Sequence, residues 1–398
     1  MSLMRTDFSQ LDLDLVPTPC FVVDRVAVEL NLQVLNEVQQ KSGARILHAL
    51  KAFSMFSLAD LSSKYLSGTC ASGINEARLA QEFYSGEIHI SSPAYAAKEL
   101  EQLVQFANHI VFNSCGQLIR FSSLCRQAKQ QRPELEFGLR INPEHSEGEY
   151  EIYNPCARRS RLGVTISELK KSLENKAFRD IFDVLSGFHF HTLCEQDFLP
   201  LQRTLKEFEA KFCSFFEKLS WINFGGGHHI TRKGYQISDL IDCIKDFSSR
   251  NKVQVYLEPG EAVALGTGVL VAEVLDIGFN EVEQIILNTS ATCHMPDVLE
   301  MPYRPEILGA GKAGEKPFTY QLGGTSCLAG DSLGEYSFDR ALQVGDKIIF
   351  KDMSHYTMVK TNTFNGVSLP TIAIWNSENK TFEIVRSFSY NDFCNRLS

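Results

Sequence analysis

The chain has 398 residues, 44% of them hydrophobic and 22% charged, with a formal net charge of -9. That composition suits an enzyme-sized folded protein with two domains and excludes a tail or a low-complexity linker. It offers neither a basic footprint for nucleic acid nor a run of about eighteen apolar residues for a membrane helix. Eleven cysteines are scattered without a Cys-x-x-Cys pair, and residues 1–14 lack the basic-then-apolar pattern of a secretory signal. The expected compartment is the reducing cytoplasm.

Residues 17–24 read as a β-strand, and Leu30, Val34 and Val38 follow at helical spacing. From about residue 45 to 258, short β-like runs alternate with helical stretches, as in successive parallel βα units. The candidate strands are 45–51, 69–72, 87–91, 109–113, 137–142, 187–192, 221–224 and 253–258. Between them lie apolar stripes such as Leu205, Phe208, Phe212, Phe215 and Leu219, or Leu240, Ile241, Ile244 and Phe247. Eight units predict a closed (β/α)₈ barrel of the TIM type, with an open doubly wound sheet as the alternative topology.

After Gly260 the runs become β-rich, at 269–277, 284–288, 318–322, 347–351, 371–375 and 382–387. The expected division is a barrel over 26–262 and an all-β domain made of 1–25 and 263–398.

Barrel chemistry gathers where the strands end. Lys51 closes an apolar strand; a dry setting lowers an amine's pKa and makes it able to form a Schiff base, although a lysine snorkelling from a strand end has the same spacing. Gly225, Gly226 and Gly227 follow the seventh strand, where bare backbone can approach a phosphate or serve as a plain turn. The spacing is neither a Walker loop nor a dinucleotide fingerprint. Glu258 lies in Glu-Pro-Gly, a turn that fixes the carboxylate's direction; it suits a pyridinium nitrogen or simple solvation. His189 and His191 share one strand face, which also suits a zinc site. With a lysine, a phosphate-like turn and a fixed carboxylate in company, no metal is expected, and His191 is assigned to the cofactor.

Six motifs then occur in order: Ala49-Leu50-Lys51-Ala52, Gly187-Phe188-His189-Phe190-His191, Gly225-Gly226-Gly227, Glu258-Pro259-Gly260, Cys327 followed by Gly330-Asp331, and Met353-Ser354-His355-Tyr356-Thr357. This order resembles the ornithine and diaminopimelate decarboxylases, pyridoxal-phosphate enzymes of the alanine-racemase-like type. The resemblance implies that Lys51 carries the cofactor, His191 stacks on its ring and Glu258 pairs with the ring nitrogen. Gly226, Gly227 and Tyr356 would hold the phosphate. It further implies a homodimer in which Cys327 and Asp331 come from the partner chain, Cys327 as the acid that reprotonates the substrate carbon.

Departures fall at substrate positions. Glu261 stands where that family commonly has arginine, and Leu328 where it often has an acid. With Asp297, in the segment 294–303, Glu261 offers anions for two separated ammonium groups, which favours a long polycation over diaminopimelate. The pattern, including residues 352–366, is most similar to the carboxynorspermidine (carboxyspermidine) decarboxylase branch of polyamine biosynthesis. Diaminopimelate or another basic amino acid as substrate, and a non-catalytic family member, are the alternatives.

Overall fold

The computed structural model describes residues 4–148, 151–301 and 303–398. Residues 1–3 of the expected β domain and Pro302 of the 294–303 segment lie outside the described residues. The chain divides into two compact units, one formed by residues up to Leu30 with Ala264–Ser398, the other by Asn31–Val263.

The first strand, β1, is Cys20–Asp24. It begins after Pro19 rather than at residue 17; proline lacks the N–H a ladder needs. The second unit contains β2 (Arg45–Ala49), β3 (Gly68–Ala71), β4 (Glu87–Ser91) and β5 (His109–Phe112). It continues with β6 (Glu136–Arg140), β7 (Leu185–His189), β8 (Trp221–Asn223) and β9 (Gln254–Leu257). Neighbours pair in parallel, and Arg45 and Ile46 of β2 meet Tyr256 and Leu257 of β9 to close the barrel. The eight expected strands are therefore all present and the open sheet is excluded.

Their apolar runs reflect burial on both faces, as parallel barrel strands require. The helix Phe198–Phe212 buries Leu201, Leu205, Phe208 and Phe212. The expected stripe through Phe215 and Leu219 does not continue as α-helix: Cys213–Lys218 tightens into a 3₁₀ turn. The helix Ile237–Asn251 buries Leu240, Ile241, Ile244 and Phe247, then stops at Lys252 in a left-handed conformation.

Trp221 fills the barrel interior beside two glycines. A Cβ at Gly138 would meet its ring at 2.4 Å and one at Gly187 at 2.0 Å. At the strand N-terminal end His89 and His109 stack, ring centres 3.8 Å apart, against Trp221 and Tyr256. The result is a packed aromatic floor rather than a pore.

The other unit holds β10 (Gly268–Asn280), β11 (Val282–Leu287), β12 (Phe318–Gly323) and β13 (Ser332–Phe338). Beyond these come β14 (Lys347–Lys351), β15 (Thr371–Trp375) and β16 (Phe382–Arg386). The sheet order is β13-β12-β11-β10-β1-β15-β16, with β14 paired to β10. Phe8, Val22, Val271, Ile349 and Trp375 belong to its core. The six expected strands are present, and β13 is an addition. Gly334 interrupts the apolar alternation there, so its antiparallel pairing with β12, not its composition, makes it a strand. Among the described residues no helix is long and apolar enough to cross a membrane.

Candidate active site at the strand ends of the barrel

Lys51, His191 and Glu258 each lie one or two residues beyond their strands, at the C-terminal ends of β2, β7 and β9. Lys51 Nζ is 3.2 Å from His191 Nε2. The direction of that contact follows from the other ring nitrogen. Gly226 N–H donates to His191 Nδ1 at 3.0 Å. A backbone N–H can only donate, so Nδ1 is the acceptor, and in the neutral ring the proton sits on Nε2. Nε2–H then donates to an unprotonated lysine amine.

The electrostatics agree. Burial lowers the Lys51 pKa; the Glu258 carboxylate opposes the shift and Arg140 adds to it. Burial, aided by the charges of Lys51 and Arg140, also holds His191 well below its ordinary value. Both groups are thus pushed toward their uncharged forms, the direction that favours a nucleophilic amine.

Glu258 is buried, and burial alone would raise its pKa; His189, His191 and the Cys70 thiol overcome that and hold it below the ordinary carboxylate value. Asn223 Nδ2 donates to Oε1 at 2.7 Å, and His189 Nε2 lies 3.3 Å from Oε2. Arg140, at the end of β6, reaches the His191 carbonyl at 3.4 Å. Sequence reasoning missed Arg140, Asn223 and Cys70. Arg140 and Asn223 end barrel strands, so the strand-end criterion that found Lys51 could have found them.

The glycine turn is shaped by its neighbours. A Cβ on Gly226 would stand 2.0 Å from the Glu258 carbonyl oxygen; one on Gly227, whose φ is +87°, would stand 1.9 Å from the Leu193 oxygen. The Gly225 N–H is spent on Asn223 Oδ1 and that of Gly226 on His191, while Gly227 N–H has no acceptor among the described residues. Gly226→Ala is expected to cost about 1–3 kcal/mol by overpacking. The measurement is the denaturant midpoint of the variant; an unchanged midpoint would show that the turn can retreat freely.

Glu258, His189 and His191 also lie within 4.8 Å of one another through their ligand atoms, the arrangement a metal would use. Both His191 nitrogens are engaged, however, and a lysine amine occupies the space beside one of them. Glu87, His89 and His109 form a second such group at the barrel floor. There His89 Nε2 already lies 2.8 Å from Glu87 Oε2, and Arg45 pairs with Glu87 as well.

Glu261 opens the short helix Glu261–Ala264, and its Oε1 lies 3.1 Å from His229 Nε2. The remaining sequence-predicted residues belong to the sheet unit. Cys327 is exposed, its N–H donating to Asn365 Oδ1 at 2.8 Å. Asp331 is buried and accepts from Ser290 Oγ at 2.8 Å, Ser326 N–H at 3.1 Å and Thr292 N–H at 3.2 Å. It pins the loop that carries Cys327. Asp297 and Glu300 both pair with Lys360. Tyr356 has φ +45°, a left-handed conformation that side chains other than glycine's rarely adopt.

Comparison with known proteins accords with this geometry. The family described as "Pyridoxal-dependent decarboxylase, C-terminal sheet domain" matches residues 20–354. The chain is 43% identical to a carboxynorspermidine/carboxyspermidine decarboxylase of Campylobacter jejuni, covering 95% of this chain and 98% of that one. It is 41% identical to a carboxyaminopropylagmatine decarboxylase of Synechocystis, covering 97% and 96%. The crystal structure of a Campylobacter jejuni carboxynorspermidine decarboxylase complexed with norspermidine superposes with a TM-score of 0.85 at 40% identity, over 96% of this chain and 100% of that one. With the family match and these full-length relatives, the chain belongs to the pyridoxal-dependent decarboxylases.

Proposed function

We propose that this chain binds pyridoxal phosphate and decarboxylates carboxynorspermidine, carboxyspermidine or both, yielding norspermidine and spermidine. The observation that carries the reading is the Lys51 amine 3.2 Å from His191 Nε2, at the same strand ends as a buried Glu258. Those groups fit the cofactor. Lys51 would link to it, His191 would stack on it, and Glu258 would hold its ring nitrogen protonated. Gly226 would give it bare backbone for close approach, while Gly227 with its open N–H, and Tyr356, would take the phosphate. When bound, pyridoxal phosphate supplies an electron sink for the charge left on the substrate carbon as carbon dioxide departs.

The chain's own residues do the rest. Lys51 would hold the cofactor and orient it toward the substrate amine. Arg140 adds positive charge beside Glu258 and His191. Cys327 delivers a proton to the substrate carbon, on a loop that Asp331 and Asn365 hold in place; exposed Leu328, next to it in sequence, suits a loop that packs on a second copy of the chain. The assembly in this reading is a cytoplasmic homodimer with shared sites, and its eleven free cysteines suit a reducing compartment. Glu261 and Asp297 bind the substrate's ammonium groups, with Asp331 supporting that end of the site. A polycation competes with Lys360 for Asp297 and Glu300, so distal charge is needed as well as length.

The test is decarboxylation by pyridoxal-phosphate-loaded protein, with carboxynorspermidine, carboxyspermidine, carboxyaminopropylagmatine, diaminopimelate and ornithine in parallel and Glu261→Arg alongside. Activity confined to the first two, with kcat/KM about tenfold or more lower in the variant, is the expected result. Preference for the agmatine compound would move the assignment to a guanidinium-ended substrate; preference for diaminopimelate or ornithine would end the polyamine reading. Stoichiometric zinc without cofactor absorbance would instead favour a metallohydrolase.

A further inference from the structure

The roles above use Glu258 and the glycine turn but leave unused the buried amide between them. Asn223, the last residue of β8, is 1% exposed, with both ends of its side chain committed. Gly225 N–H donates to Oδ1 at 2.8 Å, which fixes the amide's orientation, so that Nδ2 is the end 2.7 Å from Glu258 Oε1. One planar amide therefore spans the distance between the turn and the carboxylate.

Nδ2 can only donate, and a hydrogen bond to an ionised acceptor is about twice as strong as one to a neutral group. Asn223 thus favours the charged form of Glu258. Lys51, Cys70, Arg140, His189 and His191 face the same carboxylate from other strand ends. These groups titrate or carry charge, and a bound cofactor changes the state of Lys51. Asn223 has no titratable proton, so its donation does not change with pH.

We propose that Asn223 is a positioning residue for the cofactor, holding Glu258 charged and setting its reach from the phosphate-facing turn. The proposal rests on the reading that the chain binds pyridoxal phosphate. It assigns Asn223 no contact with substrate or with the reacting atoms.

Asn223→Asp tests it with little change of shape: an acceptor for Gly225 N–H remains, while the donor toward Glu258 becomes a second oxygen. Two carboxylates at that spacing share a proton. In the loaded variant, the pH midpoint of the bound cofactor's visible absorbance is expected to shift by about one unit or more. The expected fall in kcat is about 10- to 100-fold, as when a group that orients a ligand-holding side chain is lost, with KM within about threefold. The double variant Asn223→Asp/Glu258→Gln restores a donor–acceptor pair with reversed polarity. It is expected to fold and to match the absorbance profile of Glu258→Gln alone.

If Asn223→Asp titrates and turns over within about twofold of the parent, the proposal is overturned. Should that variant fail to fold, the double variant decides: folding with the Glu258→Gln profile supports the proposal, and failure of both shows an amide needed by the fold itself. A parent protein that binds no pyridoxal phosphate would overturn the underlying reading before any variant is compared.

Discussion

Lys51→Ala is expected to lower decarboxylation by on the order of 1000-fold or more while leaving the barrel folded. The amine's contact is with His191 Nε2, and His191 keeps its other anchor through Gly226 N–H, so removal of the amine does not unfasten the ring. Burial disfavours the charged form of this amine, so its removal relieves a desolvation cost and the melting temperature is expected to change by only a few degrees. The visible absorbance of a lysine-linked cofactor should disappear even where pyridoxal phosphate is retained. Added small primary amines should recover part of the rate, since the defect is a missing nucleophile. A variant with parental kcat would show that another group carries the cofactor.

The second large effect is on stability in acid. Burial lowers the pKa of His48 to about 4, of His89 to about 3 and of His228 to about 3, all in the barrel unit. His109, stacked on His89, is pushed down in the same direction by burial and by His89 itself. Each is held neutral in the fold, whereas in the unfolded chain it takes up a proton near pH 6.5. Their contribution is complete above that pH and is lost as pH falls from about 6.5 toward the folded values. Each costs at most about 1.4 kcal/mol per pH unit in that window, and about 2 kcal/mol between pH 6.5 and 4.5. For His48, His89 and His228 together this is on the order of 6 kcal/mol, a large part of the stability of a domain. Denaturant midpoints at pH 7.5, 6.5, 5.5 and 4.5 should fall slightly between the first two and steeply below, and His89→Phe should flatten the slope. A midpoint unchanged down to pH 4.5 would mean that these rings are already charged in the fold.

How much of this was legible in the sequence depended on the range of the interaction. Barrel strands buried on both faces advertise themselves as apolar runs, and the rule that chemistry sits at their C-terminal ends led to Lys51, His191 and Glu258. Each lies just past its strand, close to where the sequence put the strand end itself. What a strand-end residue touches was not legible. Asn223 ends a barrel strand, which the same rule marks, yet only the fold sets its amide against a carboxylate 35 positions away. Asp331 sits in a motif that suggested contact with substrate, yet its three acceptor bonds lie within its own unit, an arrangement no spacing rule encodes. In the same way β13 is defined by its neighbour β12, because Gly334 hides the alternation that would mark it alone.

The aromatic floor built by Trp221, Tyr256, His89 and His109 has a consequence for traffic. A barrel stoppered at the strand N-terminal end is a cul-de-sac, so whatever enters at the strand C-terminal mouth must back out the way it came. Amine product and incoming acid then both pass on the side of the strand C-terminal ends, where Lys51, His191 and Glu258 stand.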